Sequence, residues 1–343
     1  MINKFNPFSD FITSARYKEY DYDIQNGKAI IPEWETEIKE EAFWSCEELT
    51  SAELPQWIKK IGKEAFSGCE NLTEITLPEW VEEIGEGAFY DCKNLKSITL
   101  PRWVKKIGDD AFSDCSILTS IFIPCSVTKI GDRAFSGCSS LTSIFIPSSV
   151  TEIGQGAFDG CSSLTSITIP ESVTEIGIQA FSFCSSLTNI SVSKDNKVYD
   201  SREDCNAIIH TENNWLIGGC KNTIIPPSVT VIGWGAFYGC ESLTSISIPS
   251  SVTEIGDSAF SGCSSLTSIF IPPSVTEIGF QAFEGCSSLT NITIPPSVTE
   301  IKENEDGDTF SGCSSLTEVR IPKGCYVHGY AFEDSPNVKI IRY

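Results

Sequence analysis

Basic side chains and histidine are scarce in this 343-residue chain: 24 lysines and arginines stand against 46 aspartates and glutamates, with two histidines and a formal charge of −22. That surplus of negative charge repels phosphate backbones and anionic bilayers, which argues against nucleic acid as a partner. Long hydrophobic runs are missing too. Pro and Ser interrupt every apolar stretch well short of the roughly 20 residues that cross a bilayer, so the chain is not read as membrane-spanning. The segment Met1 to Asp10 lacks the apolar core of a secretion signal, which leaves a cytoplasmic location open. The two histidines, His210 and His328, lie far apart, and no Gly-rich phosphate loop, H-E-x-x-H or nucleophile elbow occurs. No catalytic residue, cofactor or metal site is therefore expected, and the chain is read as a non-enzyme.

What the chain does have is a period. Phe43, Phe66, Phe89, Phe112, Phe135, Phe158 and Phe181 are each 23 residues apart, as are Phe237, Phe260 and Phe283, with Phe310 and Phe332 following in less regular units. A fixed period of this length marks a solenoid. In the unit from Leu164 to Cys184, Leu164, Ile167 and Ile169 follow the L-x-x-L-x-L pattern of a short parallel strand whose alternate side chains point inward. Pro170 ends that strand, Val173 and Ile176 turn a second extended segment inward, and Gly177 makes a corner. Ala180, Phe181 and Cys184 fall on one side of an expected helical turn. One coil cannot bury both of its faces, so stability must come from stacking. The fold class expected is a leucine-rich-repeat-type curved solenoid of about twelve coils, with one long parallel β-sheet and little helix.

The pattern I-P-x-S-V-T-x-I-G-x-x-A-F-x-G-C-x-S-L-T-x-I, nearly intact from Ile146 to Ile167 and from Ile248 to Ile269, resembles the BspA-like (Treponema pallidum-type) leucine-rich repeats of bacteria and some parasitic protists. The likeness covers roughly residues 30 to 343. It implies a cell-surface or secreted protein and, for some members, an adhesin for host proteins. The function expected is a binding solenoid, an adhesin or interaction scaffold, whose partner is a protein such as a host or matrix protein, or a glycan. The alternatives are a self-associating structural protein and, with least support, an enzyme.

Residues 1–30 stand outside the repeat and are read as an N-terminal cap. Phe8, Phe11, Ile12 and Ala15 share one face of a short helix after Ser9, and Asn26-Gly27 turns a hairpin. The solenoid, residues 31–343, is interrupted at about 193–225 by an insertion read as a β-hairpin standing out from the stack. Within it, Cys205 and Cys220 would face each other if His210 and Trp215 flank the turn, making them a candidate disulfide. Eleven of the fifteen cysteines occupy one repeat position. They form a ladder of small buried thiols rather than the converging pairs zinc requires. The acidic run from Glu303 to Asp308 is rich in oxygen ligands but lacks calcium-loop spacing, and reads as a solvated loop.

Two sets of aromatics suggest a binding surface. Phe122, Phe145 and Phe270 occupy outward strand positions where other coils carry Thr or Ser, which would expose apolar area. Trp34, Trp57, Trp80 and Trp103 replace the Ser of Pro-x-Ser-Val in the first coils. They offer indoles to a peptide or glycan ring, or else pack as a stiffening ladder.

Overall fold

A computed structural model describes residues 19–301, 303–304, 307–328, 331–332, 335 and 338–343. The helix expected over Phe8 to Ala15, with its Ser9 cap, lies outside the described residues. The hairpin that follows it is present. Asp23–Gln25 pairs antiparallel with Lys28–Ile30 through Asn26 and Gly27, both at positive φ.

From there the chain winds as a β-solenoid of coils spaced by about 23 residues, and nearly all of its ladder pairing is parallel. Each regular coil contributes two short extended segments. The first carries the L-x-x-L-x-L residues, as in Ser97–Thr99 beside Ser120–Phe122 with Ile98 opposite Ile121. The second carries Glu-Ile or Lys-Ile pairs, and here the expectation of one long sheet on the first segment needs correction. The longest unbroken sheet is the second ladder, seven strands from Glu37–Ile38 to Glu175–Ile176. The first ladder divides into shorter sheets, and near Phe145 it thins to a single Phe122–Phe145 bridge. Its alternation of exposed and buried residues is nevertheless the one the pattern predicts, with Ser120 and Phe122 outward and Ile121 inward.

The expected helical turn is not helical. Ala65 and Cys69 donate to the carbonyls three residues back, while Phe66 N–H donates to Ala88 of the next coil at 2.9 Å. The same coil-to-coil bond recurs from Phe43 to Ala65 and from Phe89 to Ala111. Backbone groups that a helix would satisfy locally are satisfied between coils, so a single coil would leave them unpaired. Two positions in this turn adopt positive φ, the one before Ala and the one before Cys. This explains the glycines at Gly68 and Gly137 and the Asp residues at Asp91 and Asp114. The corner glycine serves another purpose: a Cβ on Gly85 would lie 2.7 Å from the backbone carbon of Gly62, so close approach of consecutive coils demands it.

The interior is a column of phenyl rings. From Phe43 to Phe181 consecutive centroids are 5.1–5.5 Å apart with interplanar angles of at most 7°, and Tyr22 closes the N-terminal end at 5.7 Å. A second column runs from Phe237 to Phe332. The insertion separates the two, and it does not project as expected. Ala207–His210 pairs antiparallel with Trp215–Gly219, which pairs in parallel with Val231–Ile232 of the next coil. The hairpin is thus a member of the stack, with Ala207, Ile208, Ile209 and Leu216 buried. Gly219 lets Phe237 lie against the hairpin backbone, because a Cβ there would be 2.2 Å from the ring.

The proposed opposition of Cys205 and Cys220 fails for a local reason. Ile209 faces Leu216 as expected, but a bulge then pairs Ile208 with Gly218 and Ala207 with Gly219. The register beyond it is shifted by one residue. Both thiols are free, and they belong to different core clusters: Cys205 packs with the C-terminal coils and Cys220 with the N-terminal ones.

Candidate functional site

The surface that stands out is the exposed side of the first strand ladder. Phe122 ends the strand Ser120–Phe122, with Thr99 beside it on the preceding coil and Phe145 beside it on the next. The two phenyl groups are 59% and 64% exposed, and Phe270, bridged to Ser247, is 71% exposed. The pleat holds them outward: their flanking residues Ile121, Ile123, Ile144 and Ile146 all point into the core. Removing such a ring from water contributes about 1.5–3 kcal/mol, a gain the folded chain forgoes and a partner can collect.

Around these rings the strand face carries no charge. The segments 119–122, 142–145, 165–168, 188–191, 244–247, 267–270 and 290–293 contain no Asp, Glu, Lys or Arg, in a molecule of net charge −22. Charges return only at the ends, with Glu53, Glu74 and Lys96 before this region and Glu318 and Arg320 after it. This neutral strip is legible in the sequence only when the outward positions of successive coils are aligned, because no single coil contains it.

Trp34, Trp57, Trp80 and Trp103 lie in the turns that follow the first strands and are 76%, 55%, 48% and 44% exposed. They form a surface ladder. The Arg102 guanidinium lies 5.4 Å from the Trp103 ring centroid and pairs with Glu79 of the preceding coil. On another face, Trp44, Glu64, Tyr90, Asp110, Asp114 and Arg133 line a groove. There burial and the neighbouring Asp91 hold the Asp114 carboxyl above the usual carboxylate range. Arg133 is engaged with Asp110 through both carboxylate oxygens at 2.8 and 3.0 Å.

The thiol ladder is buried as expected, but its bonding was not foreseen. Cys69 Sγ–H donates to the Phe43 carbonyl at 3.0 Å, Cys92 to Phe66 at 3.1 Å and Cys115 to Phe89 at 3.2 Å, and the pattern continues to Cys313 and Phe283. Each of these thiols both fills space and ties its coil to the one before, while Cys46 at the start of the ladder is only partly buried. Burial raises the thiol pKa along the ladder, to about 12 at Cys240 and Cys313.

A family model described as a BspA type leucine rich repeat region matches residues 36–138, 105–205 and 217–339. The chain belongs to the BspA-type leucine-rich repeat family. Among solved structures, this BspA-type chain is similar to a leucine-rich cell surface protein from Faecalibacterium prausnitzii, at 29% identity over 94% of this chain and 86% of that one, with a TM-score of 0.70. It is also similar to leucine-rich repeat proteins from Bacteroides ovatus (29% identity, 93% and 97% covered, TM-score 0.57) and Eubacterium ventriosum (25%, 74% and 74%, 0.61). No curated protein matches the chain. Among the described residues of this BspA-type solenoid, no helix is long and apolar enough to cross a membrane.

Proposed function

We propose that this BspA-type chain is a non-enzymatic binding protein of the bacterial cell surface, an adhesin or interaction scaffold that grips a protein partner through the neutral strand face centred on Phe122 and Phe145. The observation that carries the reading is the pair of exposed phenyl rings on adjacent coils, bridged to each other within a charge-free strip. Protein interfaces have this composition, with aromatic residues at a core depleted of charge. The acidic remainder of the surface acts at longer range, favouring partners with a basic rim and disfavouring acidic ones. A surface location is supported by the Faecalibacterium protein, described as a cell surface protein.

The test is an array of purified extracellular-matrix and serum proteins probed with the intact chain and with Phe122→Ser/Phe145→Ser. A specific hit weakened at least about tenfold by the double substitution, with an unchanged melting temperature, supports the reading. Equal binding by both proteins would remove these rings from the site.

A further inference from the structure

The repeating bonds of the stack are interrupted together, at one place. The phenyl column that starts at Phe43 ends at Phe181, which is only partly buried where its counterparts from Phe43 to Phe158 are at most 1% exposed, and a separate column starts at Phe237. The bond from a ladder thiol to the preceding Phe carbonyl is made by Cys184 and next by Cys263, and Cys240 between them does not make it. The second strand ladder ends at Glu175–Ile176, and there side chains stand in for the next coil. The Tyr199 hydroxyl accepts the Ile176 N–H at 3.2 Å, and Asn196 Nδ2 donates to the Pro170 and Val173 carbonyls at 2.8 and 2.9 Å. Among the described residues, one backbone hydrogen bond joins residues 161–192 directly to the coils after residue 220, from Phe183 to Tyr238 at 3.3 Å. Regular neighbours share such bonds all round the coil, as the Phe135 and Phe158 coils do at Arg133, Phe135, Gly137, Thr151 and Gly154. A cavity of about 20 Å³ marks the junction, lined by Phe181, Ile217, Gly219 and Phe237 among its walls.

The insertion hairpin is the partition between the two cores. Successive residues of a strand face opposite sides, and here both sides are interior: Ile208, Ile217 and Cys220 pack with the first core, Ala207, Ile209 and Leu216 with the second. Its backbone is tied to the second stack, through Trp215–Gly219 beside Val231–Ile232 and from Gly219 N–H to the Ala236 carbonyl at 2.8 Å. Phe183 spans the junction. It stands at φ 51°, at the position before Cys where Gly137, Gly160, Gly239 and Gly262 stand at φ 66–72°. A bulky residue carries a backbone cost there that glycine does not, and a strained residue of this kind points to what its side chain does. The ring reaches onto the next stack, edge-on to Tyr238 at 5.0 Å and over Gly239, where a Cβ would lie 2.5 Å from it. We propose that the hairpin divides the solenoid into two units that open from one another at this seam, the hairpin leaving with the second unit, and that Phe183 is the clasp that holds the seam shut. Phe122 and Phe145 ride on the first unit and Phe270 on the second, so opening changes the distance between them. The opening is measured without any partner and stands or falls independently of the binding reading.

The chain carries its own reporters. Cys205 and Cys220 are each 1% exposed and belong to one insertion, but Cys205 packs with the second core and Cys220 with the first. The experiment is slow alkylation of the native full chain at pH 8, sampled over hours and read thiol by thiol by peptide mass spectrometry, with each rate divided by that of the denatured chain. After exposed Cys125, Cys184 and Cys220 are expected to react together, at least about tenfold faster than Cys138, Cys205 and Cys286, because a seam that opens on its own does so more often than either stack unfolds. Phe183→Gly installs the residue that other coils carry, with folding checked by circular dichroism. In it Cys184 and Cys220 should react about tenfold faster again, with Cys138 and Cys286 unchanged. Equal rates for Cys205 and Cys220 would overturn the seam: both fast means that the hairpin itself unfolds, and both slow means that the solenoid opens only as a whole. Labelling of Cys220 that is unchanged or slower in Phe183→Gly would overturn the assignment of Phe183 as the clasp.

Discussion

The coils before the insertion and those after it share one core and differ in how their surfaces are braced. In the first coils, side chains a full repeat apart pair by charge: Lys60 with Glu83 at 3.1 Å, Lys63 with Glu86 at 2.9 Å and Lys93 with Glu70 at 2.7 Å. Outside the insertion, no Lys or Arg occurs between residues 134 and 301. There the threonine bonds that also run through the first coils, as from Thr73 to the Thr50 carbonyl at 3.0 Å, act without charge pairs beside them: Thr253 donates to the Thr230 carbonyl and Thr276 to Thr253, both at 3.2 Å. Phe stacks, Ile ladders and thiol bonds are alike in the two regions. The comparison separates what the fold needs from what the surface is free to vary, and both sets of exposed aromatics fall in the second class.

The sharpest test of the shared core is Phe112→Ala beside Phe260→Ala. Each should cost about 3–5 kcal/mol, because each empties one place in a continuous ring column. Denaturant unfolding should give similar losses for the two, and a loss confined to one region would break the comparison at its base. The thiol ladder should show the same parity at smaller scale. Cys138→Ala and Cys263→Ala are each expected to lose about 1–2 kcal/mol, through a lost hydrogen bond and a small void. In the native protein a thiol reagent at pH 8 should modify exposed Cys125 first and leave the buried ladder unreacted, since burial suppresses the thiolate.

Salt should distinguish the two regions. Raising ionic strength screens exposed ion pairs but not hydroxyl-to-carbonyl bonds, so hydrogen exchange should rise modestly in residues 37–152 and stay level in residues 229–301. A uniform response would contradict the assignment of bracing. The smallest effect concerns Asp114. Its folded pKa is raised by burial and by Asp91, so the folded state binds the proton more tightly than the unfolded chain. This carboxyl's contribution to stability is present below its unfolded pKa and is lost as pH rises through the folded value. Asp114→Asn should therefore raise the melting temperature slightly at pH 7 and not at pH 3. A change of equal size at both values would assign the effect to packing.

The period, the core positions and the outward direction of Phe122, Phe145 and Phe270 were legible because a 23-residue repeat shows each environment many times. The insertion is met once, and its register could not be read in that way. A single-residue bulge between Ile208 and Ile209 cannot be inferred from a hairpin pattern, and it moved Cys205 out of line with Cys220. The turn after Ala-Phe was misread as helical because spacing alone does not say whether an N–H bonds within a coil or to the next one. The fate of the tryptophans was left open because a repeated aromatic serves equally well as a packed or an exposed ladder. What the coordinates add is their exposure, 44–76% for the four indoles.

The claim at the centre of this account is that the exposed aromatics are surplus to the fold. It is tested most directly by the melting temperature of one protein carrying Phe122→Ser, Phe145→Ser, Trp57→Ser, Trp80→Ser and Trp103→Ser together. Serine already occupies both kinds of position in other coils, so the account predicts a value within about 3 °C of the parent chain, the size expected for surface substitutions. A fall of about 10 °C or more would show that these side chains support the solenoid itself and would contradict the account.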